Sequence, residues 1–151
     1  MDKKEIGKLI LAKWGVDSKK IKLIRDGCST KNWLISGDKK EKYVFRNAGP
    51  YVDYVTFQCD LLIHLKQEQI TYLVPEPIKT KSNSLTETYR GNSFFLYKYI
   101  PGKITRKANK IDGFDIGQML AIYHKKTSDF KWKNYKSILD DFEGYIKNKK
   151  I

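Results

Sequence analysis

Between Ile21 and Arg46 the chain offers three short β-type runs, each stopped by turn residues before it can extend. Ile21-Lys22-Leu23-Ile24-Arg25 alternates apolar and polar side chains and is broken by Asp26-Gly27. Asn32-Trp33-Leu34-Ile35-Ser36 runs into the turn Gly37-Asp38-Lys39-Lys40, and Lys42-Tyr43-Val44-Phe45-Arg46 follows at once. Connections this short leave no room for the crossover that parallel strands require. The three runs are therefore expected to form an antiparallel meander, with a loop between the first two.

The flanking sequence supplies helices and a second strand pair. Ile6, Leu9, Ile10 and Trp14 recur at helical spacing, which predicts a helix over Lys3–Trp14 ending near Gly15. From Tyr54 to Lys66, Phe57, Leu61, Leu62 and Leu65 share one helical face. Val74-Pro75-Glu76-Pro77 must be extended, because proline excludes helix at and before its own position. Strands are expected around Leu85–Tyr89 and Ser93–Tyr99, joined as a hairpin across Arg90-Gly91-Asn92. Ile100-Pro101-Gly102 reads as a hinge, after which Ile111–Lys126 and Tyr135–Lys147 read as helices. In the last of these, Tyr135, Ile138, Leu139, Phe142, Tyr145 and Ile146 form an apolar stripe. The expected class is α+β: a five-stranded antiparallel sheet with helix over residues 1–100, then a hinge and two helices of an incomplete helical part over 101–151.

Charge constrains partners more loosely. Thirty Lys and Arg against seventeen Asp and Glu give a formal net charge of +13, which attracts anions of any kind. The lysines come in scattered pairs such as Lys3-Lys4, Lys19-Lys20 and Lys125-Lys126, mostly at element ends, where solvated lysines are ordinary. No Cys/His finger, ribonucleoprotein motif or basic helix leading into heptads accompanies them. At 40% hydrophobic residues the chain is too apolar for disorder. Its longest apolar runs, such as Leu9-Ile10-Leu11-Ala12, fall far short of a membrane helix. No signal peptide is read at the N-terminus. Cys28 and Cys59 lack metal-like spacing, so reduced thiols in a cytoplasmic protein are expected.

Several fragments, in order, carry a resemblance. They are Asp26-Gly27-Cys28-Ser29-Thr30-Lys31-Asn32-Trp33-Leu34-Ile35, the strand Tyr43-Val44-Phe45-Arg46, and Leu61-Leu62-Ile63-His64-Leu65. Val74-Pro75-Glu76-Pro77-Ile78, Phe94 to Gly102, and Ile116 to His124 complete the set. Their order and spacing resemble the aminoglycoside phosphotransferase and choline kinase-like superfamily, small-molecule kinases with a protein-kinase-like fold. The resemblance implies a nucleotide-binding N-terminal lobe over 1–100, with the hinge and first helices of a C-terminal lobe over 101–151.

It also implies site roles. Ser29, Thr30, Lys31 and Asn32 would contact the β- and γ-phosphates of ATP, since such a loop can present backbone N–H groups to phosphate; a plain polar hairpin loop is the alternative. Arg46 would neutralise the α- and β-phosphates, a task a guanidinium performs bidentately; an exposed strand-end arginine is the alternative. The acid that should pair with it falls at Gln58, a departure from the family pattern, with Asp60 two positions on and turned away. Backbone groups around Lys98 to Ile100 would meet adenine, with Phe95 and Leu96 lining the pocket or simply forming core. His124 reads as a helix-end packing or hydrogen-bonding residue, and Cys28 as a thiol with only Lys31 near to activate it.

The family's catalytic loop, of the His-Gly-Asp…Asn type, and its magnesium-holding aspartate do not occur after Gly102. The resemblance therefore implies an ATP-binding half that is inactive alone, with magnesium used only if a complete catalytic lobe is present. The expected partners are a nucleotide and either a missing C-terminal lobe or a second copy held through the Tyr135–Ile146 stripe, with no membrane. A basic α+β module binding nucleic acid or a partner protein is the alternative.

Overall fold

The computed structural model describes residues 1–24, 30–38, 40–102 and 110–131. Helix α1 spans Lys3–Trp14, as its apolar spacing predicts. The Asp2 side chain accepts a hydrogen bond from the Glu5 N–H, capping one of the free donors of the first turn. The helix ends at Gly15, which takes φ 73° and donates its N–H to the Leu11 carbonyl. The sheet contains β1 (Lys20–Ile24), β2 (Lys31–Ser36) and β3 (Lys42–Asn47), antiparallel as the short turns require.

Helix α2 (Val52–Gln67) follows, then β4 (Pro77–Ile78), β5 (Glu87–Tyr89), β6 (Asn92–Lys98) and helix α3 (Lys110–Thr127). The strand order is β1-β2-β3-β6-β4, with β5 also paired to β6. This makes six strands where five were expected. The addition is β4, two residues paired to Leu96 and Tyr97. A proline can open such a strand because its missing N–H is not needed there. The strand expected at Leu85 begins only at Glu87, because Ser84 and Thr86 are taken into side-chain-closed turns with Thr80 and Ser84. The β5–β6 hairpin closes over Arg90 and Gly91, at φ 49° and 72°, the paired positive values of a tight turn that matches strand twist.

The core lies between α1 and one sheet face. Ile6, Leu9, Ile10 and Trp14 pack on Trp33, Ile35, Phe45, Phe94 and Leu96, and Phe45 stacks on Phe94 at 5.1 Å between ring centres. The Trp14 Nε1–H donates to the Ile78 carbonyl at 3.0 Å, so the indole is buried without an unmet donor. On the opposite face, Val55 and Cys59 of α2 pack on Ala48 and Phe95. Of Phe57, Leu61, Leu62 and Leu65, which share one helical face by spacing, only Leu65 is fully buried. Phe57 instead turns to Phe130, at 5.9 Å, beyond the end of α3.

Helix α3 agrees with the expected Ile111–Lys126. His64 joins α2 to its C-terminal end: the ring's Nε2 hydrogen-bonds the Lys126 carbonyl at 2.8 Å, and the ring packs on Phe130 at 4.9 Å. His124, though exposed, sets its ring edge-on to Tyr123 at 5.9 Å, and its carbonyl accepts from the Thr127 hydroxyl at 3.4 Å. The expected helix Tyr135–Lys147 and its stripe lie outside the described residues. No helix among the described residues is long and apolar enough to cross a membrane.

Candidate functional site

Strand alternation sorts the expected site residues by face. Asn32 pairs with Arg46, and Arg46 with Phe95, so these three stand in one row across β2, β3 and β6. That row is on the face turned away from α1, because its neighbours Trp33, Phe45, Phe94 and Leu96 fill the α1 core. Thr30 joins it: the Asn32 Nδ2–H donates to Thr30 Oγ1 at 3.4 Å. Lys31 has the opposite parity and leaves this face. Ser29, like Cys28, lies outside the described residues.

Phe95 and Leu96 cannot line one pocket together. Phe95 belongs to the α2-side cluster and Leu96 to the α1 core. The Lys98 side chain is drawn to Glu76, Nζ to Oε2 at 2.9 Å, where Lys66 holds the other carboxylate oxygen at 2.6 Å. Hydrogen bonds from these two ammonium groups pull the Glu76 carboxyl below its ordinary range. In the hinge the backbone N–H of Lys98 donates to the Glu76 carbonyl and that of Tyr99 to the Lys42 carbonyl. The next N–H, that of Ile100, has no backbone partner among the described residues.

Three side-chain atoms in this part of the molecule are buried with no hydrogen-bond partner among the described residues: Asn32 Oδ1, Arg46 Nε and Gln58 Oε1. Such atoms are rare in folded chains, because each costs about 1–3 kcal/mol when unmet. The Arg46 guanidinium carbon lies 5.9 Å from the centre of the Phe95 ring. Burial pushes the Cys59 thiol up to about 12, with the Asp60 charge adding to the rise and Arg46 opposing it. Burial likewise raises the Tyr97 phenol, again opposed by Arg46. Arg46 therefore lies close enough to be felt at both Cys59 and Tyr97. Cys59, held protonated, is an inert core thiol.

The same parity exposes residues that sequence reasoning passed over. Leu34 and Val44 are cross-strand partners two positions from Asn32 and Arg46, so they share the candidate face, as does Tyr97 opposite Val44. Ile24, opposite Asn32, belongs there too. The signal was available: a count of two along each strand from Asn32 and Arg46 reaches Leu34 and Val44.

The chain was then compared with known proteins. The model of the phosphotransferase enzyme family (APH) matches residues 20–131. Among curated proteins none matches. Two of the solved structures that share the fold illustrate the likeness. Spectinomycin phosphotransferase APH(9)-Ia, in complex with ADP and spectinomycin, is similar at 14% identity and TM-score 0.64, over 98% of this chain and 47% of that one. The amicoumacin kinase hAmiN, in complex with AMP-PNP, Ca2+ and Ami, is similar at 18% identity and TM-score 0.69, over 89% of this chain and 42% of that one. The chain thus spans less than half the length of these relatives, and the six-stranded sheet with its helices corresponds to a kinase-like N-terminal part. With the family match covering most of its length, the chain belongs to the phosphotransferase enzyme family.

Proposed function

We propose that residues 1–100 form the ATP-binding part of a small-molecule kinase, and that residues 101–151 begin the helical part beyond the hinge. The observation that carries this reading is the pair Asn32 and Arg46. They stand opposite each other on adjacent strands, each with a buried polar atom that no described residue satisfies. A polyanion seated against this row would meet the guanidinium's parallel donors, which suit phosphate oxygens. Thr30 and Asn32 would meet the β- and γ-phosphates, with Ser29 contributing from the loop before them, while the Lys31 side chain, of opposite parity on β2, leaves that row. Ile24, Leu34 and Val44 offer an apolar surface for the adenine ring, with the Ile100 N–H as a backbone donor at its edge. The nucleotide complexes of the two structural relatives support the same reading.

Among the described residues no three His, Cys, Asp or Glu side chains gather as a metal ion would need. With no His-Gly-Asp…Asn pattern after Gly102, the 151 residues are proposed to bind nucleotide and to transfer no phosphoryl group by themselves. Transfer to an acceptor hydroxyl would need the remaining helical part of a family fold.

The test is a calorimetric titration of the chain with ATP and magnesium, repeated on Arg46→Ala. The expected result is saturable binding that weakens about tenfold or more in the variant, as loss of a charge-assisted contact implies. Absence of ATP binding, or binding indifferent to Arg46→Ala, would overturn the reading. Nucleic-acid binding in its place, falling steeply with salt, would make the chain a basic binding module instead.

A further inference from the structure

Strand β1 closes one side of the sheet. Among the described residues it pairs only with β2, so its outer row of backbone N–H and C=O groups has no strand beside it. Such an edge is a template for one more strand. Its side chains alternate between two faces. Ile21 and Leu23, opposite Ile35 and Trp33, stand on the α1 face, where Leu23 is 44% exposed. Lys20 and Lys22 stand on the other face and are exposed. A groove of about 460 Å3 opens between α1 and the beginning of β1, lined by Gly7, Leu11 and Ile21 together with Lys3, Lys4 and Lys8. Asp17 also lines it, but its carboxylate is held by Lys19 at 2.6 Å. Among the described residues Lys3, Lys4, Lys8, Lys20 and Lys22 make no ion pair. The edge thus joins an unpaired backbone, an exposed leucine and uncompensated positive charge.

We propose that the β1 edge is a docking site for an extended acidic segment of a partner protein, added to the sheet as a further strand. Residues opposite each other on adjacent strands share a face, so the register dictates the sequence of the guest. Its side chains facing Lys20 and Lys22 are acidic, and those between them, facing Ile21 and Leu23, are apolar. Main-chain hydrogen bonds along the edge supply affinity, and this alternation supplies specificity. The lysines of α1 add a field that favours an acidic guest. A second copy of β1 is a poor guest, because lysines would then stand among lysines. A nucleic acid would answer the lysines but neither the open backbone edge nor Leu23. The proposal does not depend on the nucleotide reading.

The test titrates the full chain, by fluorescence anisotropy, with a labelled peptide alternating Glu and Val and with an isomer that carries the same residues in two blocks. Amide hydrogen exchange of β1 is followed in the free chain and in the complex. The alternating peptide should bind about tenfold tighter than its isomer, and the β1 amides should exchange more slowly with it bound. The double variant Lys20→Glu/Lys22→Glu should weaken it about tenfold and turn the preference toward a peptide alternating Lys and Val. Leu23→Ser should weaken it about fivefold, through lost apolar burial. Equal affinity for the two isomers would reduce the site to bulk charge and overturn the proposal. So would unchanged β1 exchange in the complex. Tighter binding of oligothymidylate or of phosphatidylserine vesicles, lost in the same double variant, would give the surface to nucleic acid or lipid instead. Self-association that protects β1 without peptide would give it to a second copy. The comparison of isomers on the wild-type chain decides the matter even should a variant fail to fold.

Discussion

On the α1 side of the sheet, Ile6, Leu9, Ile10 and Trp14 meet Trp33, Ile35, Phe45, Phe94 and Leu96, and the buried Trp14 indole finds the Ile78 carbonyl. On the α2 side, a smaller cluster of Ala48, Val55, Cys59 and Phe95 lies beside three polar atoms with nothing to bond among the described residues. Both faces belong to the same six strands, so the difference arises from which residue types alternate along each strand. One face is closed by complementary apolar packing. The other leaves buried polar atoms unmet, at some cost in stability.

This contrast can be broken at either face. The largest expected effect is at Phe45, fully buried between Trp14, Trp33 and Phe94. Phe45→Ala should lower unfolding free energy by about 3–5 kcal/mol in urea titration, through lost burial and the cavity left behind. A smaller loss there would mean that the α1 face is looser than its packing indicates. Next comes Asp2→Ala, which removes the N-cap of α1 and should cost about 1 kcal/mol by the same measurement.

A smaller effect concerns the sheet edge. Because the Glu76 carboxyl is held below its ordinary value by Lys66 and Lys98, its contribution to stability is present above the unfolded carboxylate pKa. That contribution is lost as pH falls through the lower folded value. As a half-exposed ion-pair network it should amount to at most about 1 kcal/mol. Glu76→Gln should therefore flatten the acid limb of a stability-pH profile slightly and change nothing near neutrality beyond that amount. The smallest effect on stability is expected from Arg46→Leu. Replacing an unmet buried donor with an apolar side chain should shift unfolding free energy by less than about 1 kcal/mol, even as nucleotide binding is lost. A large destabilisation would show Arg46 to be part of the fold's framework and would erase the contrast between the faces.

How much of this was legible beforehand depended on range. The ends of α1 were readable because Asp2 and Gly15 act within a few residues, as were the β5–β6 turn at Arg90-Gly91 and the antiparallel meander. Strand β4 was not readable as a strand: two residues opened by a proline carry no period, and Leu96 and Tyr97 alone define it. The part of α2 that packs on the sheet was not readable, because Val55 and Cys59 are a less conspicuous apolar pair than the leucines around them. The leucine row is only partly covered, since α2 faces the sheet with one side and α3 with another.

The candidate site divides in the same way. The resemblance singled out Arg46, Thr30 and Asn32, and their chemistry suits phosphate: a strand cation and a short polar loop. The resemblance also named Lys31, whose side chain the pleat turns to the other face, and the backbone of Lys98, whose side chain is held by Glu76. Leu34, Val44 and Ile24 joined the candidate face only once the register was set. By itself the sequence determined the order of elements, their local caps and turns, and the chemistry available, since each of these acts between near neighbours. Which residues share a face, and which buried atoms are left without a partner, was decided by the tertiary structure alone, because both depend on strand register and helix docking between residues far apart in the chain.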